Sequence, residues 1–131
     1  MTIDSFDGDF FFLSNFFPHS IMYMGKIWKT SEHAFQGAKA LDESEQETIR
    51  RQITPGQAKR KGRKVTLRPD WENVKLSVMR DILKIKFSDP VLAQMLLDTG
   101  DHELIEGNSW GDKFYGKVNG VGENWLGRIL M

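Results

Sequence analysis

The chain has 131 residues, 18 basic and 18 acidic side chains, and no cysteine. That length suits one core, so a single domain over 1–131 is expected, and the absence of thiols excludes disulfides, thiolate zinc sites and cysteine nucleophiles. Zero net charge argues against holding a long polyanion by bulk electrostatics, and no apolar run approaches the roughly 20 residues of a membrane span.

The start carries Asp4, Asp7 and Asp9 where a signal peptide has basic residues, so a cytoplasmic location is expected, with no membrane partner. Residues 21–24 and 26–28, flanking Gly25, read as a short hairpin. Thr30 or Ser31 caps a helix over 32–41. Residues 43–53 form a polar helix with Ile49 and Ile53 as its buried stripe. Thr54-Pro55 opens a short helix that Gly62 ends. The longest helix, about 70–87, repeats Trp71, Val74, Val78, Ile82 and Ile85 at helical spacing. Asp89-Pro90 caps a further helix that Thr99-Gly100 stops. Residues 103–106 read as a strand, and a glycine-rich tail runs to a last turn at 126–131. The fold class is α+β, mainly helical, with small antiparallel β pieces.

Three constellations can do chemistry. Glu32, Gln36 and Lys39 stand at i, i+4 and i+7, and positions i and i+7 differ by only about 20° around a helix. One face therefore carries a carboxylate, an amide and an amine; it is either a solvated polar face or a stripe turned to a cleft. In the tail, Asp112 lies among Trp110, Phe114 and Tyr115, which can stack on a base or sugar or simply hold a surface loop together. Its glycines let a backbone approach a ligand closely, but no strand–helix context matches a dinucleotide fingerprint. Residues 59–64 hold five bases in six positions, a solvated helix end or a phosphate contact, for which Arg63 is the favoured candidate. His19, His33 and His102 lack metal-ligand spacing, so no metal or other cofactor is expected and His33 is assigned a structural role.

Laid end to end, these stretches resemble the NADAR family (NAD and ADP-ribose associated), also called YbiA-like. The resemblance rests on Phe12-Leu13-Ser14-Asn15-Phe16, Trp28-Lys29-Thr30-Ser31-Glu32-His33-Ala34-Phe35-Gln36 with Lys39, Gly62-Arg63, Leu67-Arg68-Pro69-Asp70-Trp71-Glu72, Asp112 with Gly116, and Gly120-Val121-Gly122-Glu123-Asn124. It implies a compact, mainly helical α+β fold and hydrolysis of a ribosyl C1–N bond, foremost removal of ADP-ribose from guanine bases of DNA or RNA. Others of the family act on ribose-phosphate intermediates of riboflavin synthesis, and a non-catalytic ADP-ribose-binding module is a further alternative. An ADP-ribosyltransferase toxin is an implied functional counterpart. Carried over by motif, Glu32, Asp112 and Lys39 are the expected catalytic residues, and Asn15, Trp71 and Asn124 line the pocket. Ser14, Phe16, Gln36, Arg63, Trp110, Tyr115 and Gly122 complete the expected substrate-binding set. Tyr115 stands where the family commonly has tryptophan, and Ser109-Trp110-Gly111 lengthens the approach to Asp112.

Cleaving such a bond builds positive charge at C1 and negative charge on the departing base, which a carboxylate and a proton donor relieve. A lysine beside C1 can attack it and form a Schiff base, provided burial keeps the amine neutral. Lys39 is therefore either this nucleophile, the preferred role, or an electrostatic clamp paired with Glu32.

Overall fold

Capping residues cut the chain into short elements, seen here in a computed structural model that describes residues 2–108, 110 and 112–131. In chain order these are strand β1 (Thr2–Ile3), a 3-10 helix (Gly8–Leu13), β2 (Ile21–Tyr23), β3 (Lys26–Trp28), α1 (Ser31–Ala38) and α2 (Glu43–Arg50). Then follow α3 (Pro55–Gly62), α4 (Trp71–Lys86), α5 (Pro90–Leu97), β4 (Glu103–Leu104) and α6 (Trp125–Leu130). The protein is a mainly helical α+β fold made of two compact units, one of Asn15–Lys86 and one of Met1–Ser14 with Phe87–Met131. None of the described helices is long and apolar enough to cross a membrane.

The first of these units is built around α1. β2 and β3 pair antiparallel with Met22 opposite Ile27, and the two-residue turn takes positive φ at both Met24 and Gly25, the twist that suits a tight hairpin. Thr30 caps α1 by accepting the His33 N–H, a bond of a kind worth about 0.5–2 kcal/mol. α2, α3, α4 and both hairpin strands contact α1, and all eight of its residues are buried. A helix this short is marginal alone, so packing holds it. Phe35 meets Trp71 with ring centroids 5.2 Å apart. Trp28, fully buried, donates its indole N–H to Tyr23 O at 2.8 Å and lies over Gly37, where an added Cβ would fall 2.3 Å from the ring.

α2 and α3 follow their caps, with Asp42 accepting from the Ser44 N–H and a Thr54–Gln57 capping box opening α3. The expected stripe of α2 is corrected at one end: Ile49 is fully buried, whereas Ile53 is 78% exposed. α2 ends at Arg50, so helical spacing no longer relates these two residues. On α4 the buried positions are Trp71, Val78, Met79, Ile82, Leu83 and Lys86, with Val74 and Ile85 half-buried on its flank.

In the other unit β1 and β4 pair in parallel, Thr2 with Glu103 and Ile3 with Leu104. This differs from the antiparallel pieces expected locally, because a pairing between distant segments leaves no turn signal. The strand is also shorter than 103–106. Ile3, Phe6, Leu92, Leu104, Leu126 and Leu130 are buried here. α6 runs directly against β4, since a Cβ on Gly127 would stand 2.0 Å from Leu104 O.

His33 joins α1 to the chain after α2. Its Nε2–H donates to Gln52 O at 2.9 Å, leaving Nδ1 to accept from Thr30 Oγ1 at 2.8 Å. Burial lowers its pKa, against the bond to Gln52 and helped by Lys29. The unfolded chain then binds this proton more readily, so the contribution of His33 to stability is lost as pH falls below about 6.5. Melting temperatures at pH 7 and 5 should fall less for His33→Asn than for the wild type. Gly37→Ala should lower the melting temperature despite its better helix propensity, because overpacking a rigid buried indole costs about 1–3 kcal/mol against a gain of about 1 kcal/mol.

Candidate active site

In the unit 15–86 the polar stripe of α1 faces inward. Glu32 is 7% and Gln36 3% exposed, which removes the solvated-face alternative. Gln36 Nε2 donates to Glu32 Oε1 at 2.8 Å. Asn15 is buried at the start of α1: its backbone oxygen accepts from Glu32 N at 3.0 Å, and its Oδ1 accepts from Ser31 Oγ at 2.9 Å. Its Nδ2 turns to Met79 Sδ at 3.5 Å. Phe16, next in sequence, is half-buried. Trp71 is buried against Phe35.

Lys39 closes α1 as its C-cap and is half-buried, its Nζ 5.8 Å from the Phe35 ring centroid. Burial pushes its amine below the usual lysine range; Glu32 opposes the fall, and Arg63 and Lys59 add to it. Arg63, the exposed C-cap of α3, is thus within electrostatic reach of Lys39. The arrangement places a carboxylate, its amide partner and a partly desolvated amine on one short helix. This is a set able to shuttle a proton and to attack an electrophilic carbon.

The remaining expected site residues belong to the other unit. Ser14 caps the 3-10 helix through its N–H to Phe11 O at 2.9 Å. Asp112 Oδ1 accepts from the N–H groups of Phe114 and Tyr115 at 3.0 and 2.9 Å. Asn108 Oδ1 accepts from Asp112 N, while its Nδ2 reaches Asp112 O at 2.8 Å and Glu106 Oε2 at 3.0 Å. Tyr115 packs edge-on to Phe114 at 4.8 Å, and Trp110 is 59% exposed. Ser109 and Gly111 lie outside the described residues. Asn124 is buried in the left-handed conformation, its Oδ1 accepting from Glu106 N and its Nδ2 donating to Leu104 O, both at 2.9 Å. Gly122 has φ +148, and a Cβ there would stand 2.4 Å from Gly116 O, so this glycine serves the chain's own close approach.

Among the described residues no group of three His, Asp or Glu side chains is arranged to hold a metal. Glu106 and Lys86, outside the expected set, are ionisable residues engaged within their units. Glu106 ties Asn108 to the tail loop. Lys86 is 1% exposed, with its pKa lowered to about 7 by burial and its Nζ 5.7 Å from the Phe17 ring centroid. Its only sequence signal is the 78–82–86 spacing, which continues the apolar row of α4. For Lys39 the opposing charges predict opposite shifts: Glu32→Gln should lower its titration point further and Arg63→Gln should raise it, read by NMR of the labelled lysine Nζ.

The family model described as NADAR domain matches residues 5–131. The N-glycosidase YbiA of Escherichia coli (strain K12) is 44% identical over 131 residues, covering 95% of this chain and 78% of that protein. A riboflavin biosynthesis protein of Vibrio vulnificus (strain YJ016) is 44% identical over 124 residues, 92% of this chain and 34% of that much longer protein. The NMR structure of the E. coli protein YbiA is similar over 99% of this chain and 79% of that one, with a TM-score of 0.84 at 40% identity. Sequence and fold thus agree over nearly the whole length, and the chain belongs to the NADAR domain family.

Proposed function

We propose that this chain is an N-glycosidase that hydrolyses a ribosyl C1–N bond, with Lys39 as nucleophile and Glu32 as proton shuttle. The observation that carries this reading is the pairing, on one buried helix, of a carboxylate with an amine whose pKa burial lowers. The name of the E. coli relative, an N-glycosidase, supports the same reaction, and the match over 5–131 supports treating 1–131 as one NADAR domain.

The neutral amine attacks C1, the C1–N bond breaks, and the departing base takes a proton. The bond from C1 to the ring oxygen then breaks, the ring oxygen taking up the proton that the amine nitrogen gives up, which leaves a Schiff base at C1. Water adds to that carbon and releases the ribose product and the free amine. Glu32 moves the protons between these steps. Arg63 is assigned the substrate's phosphate, a bidentate partner for its guanidinium. Asn15, Phe16 and Trp71 are the proposed substrate-binding residues of the 15–86 unit, where Gln36 serves the Glu32 carboxylate it bonds; Ser14, Trp110, Tyr115, Gly122 and Asn124 are those proposed for the other unit. Asp112 is proposed as a second carboxylate.

Two substrates share this chemistry. ADP-ribose on guanine suits a chain of zero net charge, because an adduct can be found without a long phosphate backbone; a toxin that installs the adduct would be its counterpart. Ribose-phosphate intermediates of riboflavin synthesis are favoured by the name of the Vibrio relative. Product analysis on ADP-ribosylated guanine oligonucleotide and on pyrimidine ribosylamine phosphates separates the two. Binding of ADP-ribose with no turnover of either would instead identify a non-catalytic module. Borohydride should trap a covalent adduct in the wild type and none in Lys39→Ala; Lys39→Arg, which keeps the charge, should be equally inactive. Glu32→Gln should slow turnover by about 10²–10⁴-fold, and Asp112→Asn tests the second carboxylate. Full turnover by Lys39→Ala would remove the nucleophile role.

A further inference from the structure

Only one end of the buried Gln36 amide is hydrogen-bonded among the described residues. Nε2 donates to Glu32 Oε1 at 2.8 Å. Oε1 is buried and has no hydrogen-bond partner among the described residues. It lies in the space a side chain at position 62 would fill, since a Cβ on Gly62 would stand 1.9 Å from it. Gly62 is the last residue of α3 and has no positive φ. Its backbone therefore does not require glycine, and alanine would improve the helix.

A buried acceptor without a partner is unfavourable, so something must hold the amide this way round. The chemistry of the two ends supplies the reason. An ionised carboxylate can only accept, so it attracts the Nε2 donor and repels the Oε1 acceptor. Rotating the amide to free Oε1 would bring two acceptors together. The orphaned oxygen is tolerated because the donor end is charge-assisted and because Gly62 leaves it room.

We propose that Gln36 is a positioning residue that orients the Glu32 carboxylate, and that Gly62 is the seat keeping its amide nitrogen on that carboxylate. The catalytic consequence rests on the N-glycosidase reading; the arrangement itself does not. The three nearest atoms that a Cβ at position 62 would meet all belong to the Gln36 side chain, so Gly62→Ala should displace the amide and lower the melting temperature by the buried bond it breaks.

The test has two arms. In ligand-free protein, the Gln36 side-chain amide protons should give an NMR signal shifted and protected in the wild type. In both Glu32→Gln and Gly62→Ala that signal should move toward that of an exposed amide. A signal indifferent to both substitutions would overturn the proposal whatever the protein's activity. In turnover of whichever ribosyl substrate the wild type cleaves, Gln36→Leu should lower kcat and kcat/KM together. The expected loss is about tenfold to a hundredfold, the size of one charge-assisted bond, with Gly62→Ala changed in the same direction. A rise in KM with kcat unchanged would mark Gln36 as a direct substrate contact and overturn the positioning role. If the wild type cleaves no ribosyl substrate, the functional reading fails and the spectroscopic arm still decides this one.

Discussion

Much of the 15–86 unit depends on burying an eight-residue helix on every side. Such a helix brings its own polar groups into the interior, where each needs a partner. Thr30 and His33 bond each other and, through the ring, Gln52. Ser31 bonds Asn15, and Glu32 takes Gln36. The carboxylate–amide pair is therefore not an ornament on a surface helix; it is how the interior accommodates a charge. Two glycines make the burial possible, Gly37 under the Trp28 indole and Gly62 beside the Gln36 amide. Both hold ordinary backbone conformations, so each is needed for space rather than for φ.

The tail uses glycine for a related end. An added Cβ would strike Asp4 O at Gly107, Glu106 at Gly116, Gly116 O at Gly122 and Leu104 O at Gly127. These segments pack backbone on backbone, with side chains such as Asn108 and Asn124 bonding the main chain where a sheet would otherwise do so. The first N–H groups around α6 are taken by carbonyls of the preceding loop, Glu123 by Lys113, Asn124 by Gly116, Trp125 by Phe114 and Leu126 by Tyr115. A glycine-rich stretch before a short helix thus closes on itself here.

Local features were the legible ones. The Thr30 cap, the Thr54–Gln57 box and the Asp89 cap are made by residues three or fewer apart, so neighbouring sequence determines them. The β1–β4 pairing joins residues about a hundred positions apart and has no local mark. Ile53 misled because spacing speaks only within a helix, and α2 stops before it. The face of Glu32, Gln36 and Lys39 was visible as a pattern, but the same spacing serves water or a core equally well. Only the packing of α2, α3 and α4 around α1 decides between them. Lys86 was hidden for the same reason, a charged residue continuing an apolar row.

That enclosure also bears on the rival roles of Lys39. Glu32 on the same face favours the ammonium form, which would make a salt bridge of the pair; burial, the largest influence, favours the neutral amine, and Arg63 and Lys59 reinforce it. A chain of zero net charge thus concentrates positive charge beside one lysine. A phosphate seated on Arg63 would screen that smaller influence while leaving the larger one intact, and a bound ribose would exclude more water from the amine. In the proposed roles, a phosphate on Arg63 would therefore offset only a smaller cause of the lowered Lys39 pKa, because burial is the largest.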